Sequence, residues 1–262
     1  MIALILAAGR GSRLRELTSD KPKCLVSLAG RPLLHWQYDA LRAAGAQRLL
    51  IVRGYLAERL VPEAAGLPAD AFETTVNPQW EHSNMLSSLL CAGPWLEAAF
   101  AAGEQEAVIS YADIVYPAAH VRALCDQGGA TPVSITFDTQ WESLWCVRFA
   151  DPLSDAESFV SKDGFLQDIG RRPQSLDEIQ GQYMGLLRVT PQGWQEIAAA
   201  CRDLGDEVAR TDMTGFLRLL MARHVPIAAV PVQGRWCEVD SQDDLRAYTE
   251  MLDQGNWDHD WR

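Results

Sequence analysis

The chain has 262 residues, of which 48% are hydrophobic and 22% are charged, and it carries a formal net charge of −12. Such a composition is typical of a globular protein with a sizeable core, and the acidic balance argues against nucleic acid as a partner. The sequence has no apolar run near the roughly 20 residues that cross a bilayer, and no charged leader precedes its first apolar run, so we expect a cytoplasmic protein without a membrane partner.

Strand-like and helix-like segments alternate along the first half of the chain. Short apolar runs predict buried strands at residues 2–6 and 49–52, and further strands are predicted at residues 73–76 and 107–110. Helical spacing and boundary residues predict helices at residues 32–44, 55–65 and 84–102. Alternation of this kind predicts an α/β fold with a mainly parallel sheet between helices, in which ligands bind at the carboxyl ends of the strands.

The second half is predicted to add antiparallel strands and a small acceptor lobe. Strands are predicted at residues 133–138, 144–149, 182–189 and 227–232, with a hairpin over residues 159–169 that turns at Lys162-Asp-Gly164. Helices are predicted at residues 191–201, 213–223 and 242–252.

The absence of repeats and linkers predicts a single domain over residues 1–262. Within it we expect a nucleotide-binding half at about residues 1–115 and an acceptor and metal half at about residues 116–255. The tail at residues 256–262 contains Trp257 and Trp261. The sequence leaves open whether this tail docks on the body of the chain or on a partner, and it also leaves open a homodimer.

The loop after the first strand has the composition of a phosphate-binding loop. Small residues and two glycines, Gly9 and Gly11, let successive N–H groups face one concavity. Residues 1–31 also hold six Lys and Arg against two Asp and Glu, whereas the chain as a whole is acidic. A local basic loop on an acidic body suits a small anionic ligand such as a nucleotide.

Three known phosphate loops compete for this segment. A dinucleotide fingerprint needs a third glycine where this chain has Leu14, and the chain has no Walker A string. The third pattern is Leu-Ala-Ala-Gly-x-Gly-x-Arg-Leu over residues 6–14, followed by Pro22-Lys23. On these residues the chain resembles the sugar-phosphate and phosphoalcohol nucleotidyltransferases. The resemblance implies a Rossmann-like three-layer α/β/α fold with a mixed sheet.

Two basic and three acidic residues carry the predicted chemistry. A lysine held over phosphates stabilises the charge that develops as pyrophosphate leaves, and we assign this role to Lys23, with Arg13 as the second catalytic residue. Asp113 ends a predicted strand, and Glu238 and Asp240 share one face of an extended segment, so these three carboxylates can hold Mg²⁺ against phosphate oxygens. The alternatives are a turn aspartate at position 113 and a helix N-cap at position 240.

A polar segment at residues 77–92 adds the predicted base and ribose contacts. Its pattern Asn-x-x-aromatic-x-x-x-Asn-x-x-x-Ser-Leu, together with Glu238-Val-Asp240, resembles the CTP-using phosphocholine cytidylyltransferases. That family transfers CMP from CTP, with Mg²⁺, to a small phosphorylated or phosphonylated acceptor. The nucleotide-binding residues that we predict are Leu6, Ala7, Ala8, Gly9, Gly11, Ser12, Asn84 and Ser88. The chain departs from the family at Tyr111, where an aspartate is usual, and at Met85, where an asparagine is frequent.

The acceptor is predicted to bind between residues 138–149 and 180–187. The predicted contacts are Trp145, Arg148, Gln182 and Tyr183, because aromatic faces attract an ammonium and polar groups orient it. Trp145 is the strongest candidate, since the phosphocholine family has a tryptophan at the matching place. We therefore expect two partners, CTP and a small amino-bearing acceptor that resembles phosphocholine, an aminoalkylphosphonate or a phosphorylated amino acid.

Three other functions stay open. A uridylyl- or thymidylyltransferase acting on a sugar 1-phosphate shares the fold, but such enzymes usually have a glycine-rich string where this chain has residues 84–88. An inactive, nucleotide-sensing regulatory subunit is disfavoured by the intact Lys23, Asp113 and Asp240. An NAD-binding oxidoreductase is disfavoured by Leu14.

Overall fold

A nine-stranded sheet forms the centre of the molecule. The computed structural model describes residues 1–255 and 257–262, so Asn256, the first residue of the predicted tail, lies outside the described residues. The described residues form thirteen strands: β1 (Ile2–Ala7), β2 (Ser27–Leu28), β3 (Arg31–Pro32), β4 (Arg48–Arg53), β5 (Glu73–Val76), β6 (Ala107–Tyr111), β7 (Ile114–Val115), β8 (Val133–Asp138), β9 (Phe159–Lys162), β10 (Phe165–Ile169), β11 (Gln182–Val189), β12 (Ile227–Val232) and β13 (Cys237–Glu238).

The strand order of the main sheet is β5-β4-β1-β6-β11-β8-β12-β10-β9. Strands β4, β5, β6, β8, β9 and β12 run in the same direction as β1, whereas β10 and β11 run the opposite way. The sheet is therefore mixed and mostly parallel, which confirms the predicted sheet. The predicted hairpin is present as β9–β10, and two small antiparallel pairs, β2–β3 and β7–β13, lie outside the main sheet.

Helices cover both faces of the sheet. The described residues form eight α-helices: α1 (Leu33–Ala43), α2 (Met85–Cys91), α3 (Gly93–Ala101), α4 (Ala118–Gly128), α5 (Trp141–Arg148), α6 (Pro191–Leu204), α7 (Met213–Ala222) and α8 (Gln242–Gln254). Ala3 and Ile5 of β1 belong to the core beneath α1, α4, α5 and α8, whereas Ile2 and Leu4 belong to the core beneath α2, α3, α6 and α7. The three-layer α/β/α arrangement is thus confirmed. Within the described part of the chain, none of these helices is both long enough and apolar enough to cross a membrane.

Three predicted elements differ from the structure. Residues 55–65 contain a short 3₁₀ turn, Ala57–Arg59, rather than a helix, because Leu56 has a φ of 46° and lies outside the helical region. Residues 144–148 belong to α5 rather than to a strand, and Phe149 is its C-cap, since the buried side chains of Trp141, Leu144 and Trp145 follow helical spacing. The predicted helix at residues 84–102 is divided into α2 and α3, which meet at Ala92.

The C-terminal tail docks on the body of the chain. Trp257 stacks on Tyr248 of α8 with ring centroids 5.2 Å apart, and Trp261 meets Trp36 of α1 edge-on at 5.7 Å. Both tail tryptophans are buried. The sequence left open whether the tail docks on the body of the chain or on a partner, and these contacts place Trp257 and Trp261 on the body of the chain.

Candidate active site

The edge of the sheet at the carboxyl ends of β1 and β6 brings the predicted catalytic residues together. These two strands are parallel neighbours, so the loop after Ala7 and the turn at Asp113 leave the sheet side by side. β13 pairs with β7, and the backbone N–H of Val239 donates to the carbonyl oxygen of Asp113 at 2.9 Å. This pairing carries Glu238 and Asp240 to the same edge from the far end of the chain.

The phosphate loop and Lys23 fit closely against each other. Gly11 has a φ of 68°, and a Cβ at this position would lie 2.8 Å from Cδ of Lys23. The lysine side chain therefore crosses directly over Gly11, where glycine suits both the backbone conformation and the close approach. The lysine opens a short 3₁₀ turn, Lys23–Leu25, that follows Pro22.

Lys23 is a nearly buried positive charge, with a side chain that is 11% exposed. Its Nζ donates hydrogen bonds to Oδ2 of Asp113 at 2.9 Å and to Oδ1 of Asp240 at 2.5 Å. Burial by itself would lower the pKa of Lys23, but the charges of Asp113 and Asp240 outweigh that effect and hold the pKa above its ordinary value. The lysine therefore stays protonated beside the phosphate loop.

Asp113, Glu238 and Asp240 form a carboxylate cluster in which one oxygen of each lies within 4.8 Å of the others. Oδ1 of Asp113 is buried and has no hydrogen-bond partner among the described residues. A buried polar atom without a partner costs free energy, and carboxylate oxygens are the ligands that hard divalent cations such as Mg²⁺ prefer. The donor set therefore fits a divalent metal, which would satisfy the free oxygen of Asp113.

Asp240 faces the cluster because the next residue caps α8. Ser241 is the N-cap, and its Oγ accepts a hydrogen bond from the backbone N–H of Asp244 at 3.1 Å. Asp244 in return accepts hydrogen bonds from the N–H groups of Asp240 and Ser241, both at 2.8 Å. The side chain of Asp240 is thereby left to pair with Lys23 and with Arg13, whose largely exposed guanidinium donates to Oδ2 at 2.6 Å.

Arg148 neutralises the back of the cluster. Its side chain is 2% exposed, and it donates to Oε2 of Glu238 at 2.9 Å and to Oδ1 of Asp244 at 3.3 Å. The guanidinium carbon also lies 5.3 Å from the centre of the Trp145 ring. Burial raises the pKa of Glu238 to about 7, and Arg148 opposes this shift. Arg148 therefore lies behind the carboxylates, where it contacts Trp145 from the protein side.

Two small cavities follow the phosphate loop, with volumes of about 230 and 200 Å³. The first is lined by Leu6, Ala8, Gly9, Trp80, Ser83, Asn84, Met85, Ser88, Asp212 and Met213. The second is lined by Leu6, Ala7, Gly9, Gly11, Lys23, Cys24, Met85, Ala112 and Asp113. Seven of the eight predicted nucleotide residues thus lie around these two cavities, and the eighth, Ser12, is exposed at the start of the turn Ser12–Thr18.

Asn77 holds two serines that line the first cavity. Its buried Nδ2 donates to the hydroxyl oxygens of Ser83 and Ser88, both at 3.0 Å, and its Oδ1 accepts from the N–H of Gln79 at 2.9 Å. Asn84 occupies the N-cap position of α2 without a side-chain capping hydrogen bond. Its amide group is therefore available to a ligand, whereas the residues around it are held by Asn77.

A third cavity, of about 270 Å³, opens on the other side of the carboxylates. It is lined by Met85, Tyr111, Trp145, Asp155, Glu157, Gln182, Tyr183, Asp212, Met213, Thr214, Glu238 and Asp240. Five of these lining residues are acidic and none is basic. The cavity includes Trp145, Gln182 and Tyr183, three of the four predicted acceptor residues.

Hydrogen bonds hold most of the walls of this third cavity. Nε1 of Trp145 donates to Oδ2 of Asp155 at 3.2 Å, and Gln182 exchanges two hydrogen bonds with the backbone of Glu157 at 2.6 and 3.1 Å. Burial, followed by the charge of Asp212, raises the pKa of Glu157. The hydroxyl group of Tyr183 is buried, and the Tyr183 ring meets the ring of Tyr111 edge-on with centroids 5.8 Å apart.

The start of α7 is the part of the site that the sequence did not indicate. Asp212 and Met213 line both the first and the third cavity, and Met85 lines all three. The sequence signal at position 212 is that of an ordinary helix cap, and Oδ1 of Asp212 does accept from the N–H of Gly215 at 2.7 Å. A larger cleft, of about 610 Å³, lies beside Trp194, but its lining includes none of the clustered carboxylates. Cavity volume by itself therefore does not identify the site.

Lys23 and the carboxylate cluster lie between the two small cavities beside the phosphate loop and the third cavity. This arrangement suits a nucleotidyltransferase, and the comparisons with known proteins agree. Residues 3–225 match the family model described as the MobA-like NTP transferase domain, so the chain belongs to that family. The resemblance to nucleotidyltransferases that the sequence motifs predicted is thereby confirmed.

Individual relatives extend this likeness. The chain is 33% identical over 257 residues to a CTP:phosphoglutamine cytidylyltransferase of Campylobacter jejuni, a match that covers 95% of this chain and 100% of the relative. It is 33% identical over 167 residues to a CMP-5'-(3-aminopropyl)phosphonate synthase of Streptomyces rubellomurinus, covering 63% of this chain and 24% of the relative. A solved structure of a CTP:phosphocholine cytidylyltransferase from Streptococcus pneumoniae superposes with a TM-score of 0.67 over 96% of this chain and 98% of its own, at 21% identity, and shows a shared fold.

Proposed function

We propose that this chain is a cytidylyltransferase that transfers CMP from CTP to a small phosphorylated or phosphonylated acceptor bearing an ammonium group. The observation that carries the proposal is the position of Lys23, Asp113 and Asp240 between the nucleotide cavities and an acidic, aromatic third cavity. The relatives named above include enzymes that use CTP with phosphorylated acceptors, which supports cytidine as the base.

The proposed reaction is a direct displacement. An acceptor oxygen attacks the α-phosphorus of CTP, a new P–O bond forms, and the bond to the bridging oxygen of the β-phosphate breaks as pyrophosphate leaves with its electron pair. Lys23 and Arg13 stabilise the negative charge that develops on the α-phosphate and on pyrophosphate. Cavities flank the carboxylates on two sides and can hold both reactants at once, so a covalent enzyme intermediate is unnecessary.

We propose Mg²⁺ as the metal at Asp113 and Asp240, with Glu238 assisting. When bound, Mg²⁺ would neutralise phosphate charge beside the α-phosphorus. The chain itself supplies the oxygen ligands, and Arg148 offsets the charge of Glu238 from the protein side. On this proposal the two halves divide the work: residues 1–115 bind the nucleotide and provide Asp113, and residues 116–255 provide the other two carboxylates and most of the acceptor contacts.

Base selection is proposed to depend on Asn84 and Ser88. Cytosine presents an N4 amino donor and an N3 acceptor, whereas uracil presents the reverse pair. The uncommitted amide of Asn84 lines the same cavity as Ser88, whose hydroxyl group is oriented by Asn77. A closed site that pairs with one base leaves its own polar groups unpaired with the other, so we expect CTP to be strongly preferred over UTP.

Charge defines the acceptor in this proposal. Asp155, Glu157 and Asp212 lie on the lining of the third cavity together with two carboxylates of the metal cluster, and that lining has no basic side chain. Trp145 adds an aromatic face, which attracts an ammonium. A primary ammonium also donates three hydrogen bonds that a quaternary one lacks. We therefore expect an acceptor with a phosphate or phosphonate at one end and a primary amine at the other.

The test is pyrophosphate release from CTP, UTP, dTTP and ATP with phosphocholine, 2-aminoethylphosphonate, phosphoserine and glucose 1-phosphate as acceptors. CTP with an amino-bearing acceptor should give the highest kcat/KM. Preferred use of UTP or dTTP with glucose 1-phosphate would replace this proposal with the sugar-nucleotide alternative. If none of the four nucleotides releases pyrophosphate, the inactive regulatory subunit is favoured.

A matched acceptor pair tests the charge argument separately. 2-Hydroxyethylphosphonate has the size of 2-aminoethylphosphonate but no positive charge. With CTP saturating, its kcat/KM should be lower by about tenfold or more, because a desolvated ammonium over an aromatic face gains roughly 1–2 kcal/mol. Equal values for the two phosphonates would show that the carboxylates of this cavity do not select a cation.

A further inference from the structure

Residues 257–262 of the C-terminal tail pack behind the third cavity, beyond residue 225, where the matched family region ends. His259, in the middle of the tail, is fully buried, and Trp257 and Trp261 on either side of it are also buried. The backbone N–H of Arg235 donates to the carbonyl oxygen of Asp258 at 2.7 Å. The tail is therefore attached just before β13, the strand that leads to Glu238 and Asp240.

His259 joins two walls of the third cavity from behind. Its Nδ1 is hydrogen-bonded to the carbonyl oxygen of Trp236 at 3.0 Å, and its Nε2 is hydrogen-bonded to Oγ of Ser143 at 3.0 Å. Ser143 lies on α5, the helix that carries Trp145. Trp236 lies two residues before Glu238. The imidazole of His259 thus connects α5, which carries Trp145, to the segment that leads into β13, which carries Glu238.

The connection continues through packed rings to the cavity surface. Nε1 of Trp236 donates to Oδ2 of the fully buried Asp138 at 2.9 Å, which fixes the orientation of the indole. The Trp236 ring lies 6.3 Å from the ring of Trp145, which lines the cavity. On the other side, Trp257 stacks on Tyr248, whose hydroxyl group donates to the carbonyl oxygen of Glu238 at 2.7 Å.

We propose that residues 257–261 of the tail form a positioning element for the acceptor, and that His259 sets the spacing between Trp145 and Glu238 of β13. This inference rests on the proposed function, since it assigns the third cavity to the acceptor. Loss of His259 lets α5 and β13 shift relative to each other. The acceptor is then held less well, while the nucleotide, bound beside β1 and α2, is held as before.

The contacts of the tail predict that its effect is selective. Hydrogen bonds and ring contacts of the described tail residues reach α1, α5, α8, β8 and residues 235–236, and within the described chain none reaches the lining of the two nucleotide cavities. A purely structural role would lower the amount of folded enzyme and reduce kcat for all substrates. A positioning role instead raises the KM for the acceptor and leaves the KM for CTP in place.

The experiment compares His259→Leu with Arg262→Ala in the full chain, with each substrate varied while the other is saturating. Leucine fills the space but removes both hydrogen bonds of His259. We expect the acceptor KM of His259→Leu to rise about tenfold, the effect of losing about one buried hydrogen bond, with the CTP KM within about twofold of wild type. Arg262 pairs with Asp260 inside the tail, so Arg262→Ala should match wild type.

Each outcome decides the inference. If His259→Leu is too unstable to assay, Ser143→Ala removes the same link from the other side and must raise the acceptor KM alone. An unchanged acceptor KM in a folded variant, or an equal rise in both KM values, overturns the positioning role while the proposed function stands. A wild-type chain that transfers no CMP overturns the proposed function, and the inference with it.

Discussion

Replacing Lys23 with methionine should abolish most of the turnover while leaving a folded protein. Methionine keeps much of the apolar stem that crosses Gly11 but removes the ammonium group that pairs with Asp113 and Asp240. The substitution therefore tests the charge of the lysine rather than its volume.

The expected magnitudes follow from the two roles of the charge. Removal of one electrostatic contact to the transition state costs about 3 kcal/mol, or roughly a hundredfold in kcat. Removal of one partner from a buried ion pair costs about 3–5 kcal/mol of stability. The side chains of Asp113 and Asp240 are 22% and 23% exposed, and water reaches them. We therefore expect the lower end of that range, about 3 kcal/mol, in the free energy of unfolding.

The assay combines steady-state kinetics with urea denaturation. Lys23→Met should lower kcat about a hundredfold and change the KM for CTP much less, because the charge acts mainly on the transition state. Lys162→Met, an exposed lysine in the β9–β10 hairpin, is the matched control and should equal wild type. A Lys23→Met enzyme with wild-type kcat, or one whose loss lies wholly in the KM for CTP, would refute the assignment.

Four further substitutions probe the metal, the acceptor and the core. Asp113→Asn and Asp240→Asn should each raise the Mg²⁺ concentration required for half-maximal activity, and an unchanged titration in both would place the metal elsewhere. Trp145→Ala should raise the acceptor KM about tenfold at constant KM for CTP, and a loss confined to CTP would contradict this. Burial, with the charges of Arg235 and His259, lowers the pKa of His120 from 6.5 to about 4. Between pH 6.5 and pH 4, His120 is therefore protonated in the unfolded chain but neutral in the folded chain. The free energy of unfolding should fall by about 3 kcal/mol over this pH range. His120→Phe should flatten that slope in urea titrations, and an unaltered slope would exclude His120.

The phosphate loop was predictable because its physical requirements are local. Gly11 needs a positive φ and leaves room for the side chain of Lys23, and both features arise within a stretch of 13 residues. The short apolar runs likewise predicted the parallel strands β1, β4 and β6, since a strand buried on both faces is apolar throughout.

Local patterns misled where tertiary contacts decide the outcome. Residues 144–149 form a short, mostly apolar run of the kind that predicts a strand, yet α5 forms because Trp141, Leu144 and Trp145 bury one helical face in the core that also holds Trp236. The cap of α8 is a subtler case. Either Asp240 or Ser241 satisfies the sequence preference for an N-cap, and the reciprocal hydrogen bonds of Asp244 select Ser241.

Charge balance explains why the fold and the site depend on each other. Lys23 joins Asp113, and Arg148 joins Glu238, across 90 residues of sequence in each case, so neither pairing was readable from a local pattern. Each buried cation holds a carboxylate that would otherwise be repelled by its neighbours. Arg13 differs, because its side chain is 73% exposed and can exchange Asp240 for a phosphate of the nucleotide at little cost. The cluster therefore has two buried cations that keep the carboxylates together and one exposed cation at its mouth, which suits a site that binds a triphosphate and then releases pyrophosphate.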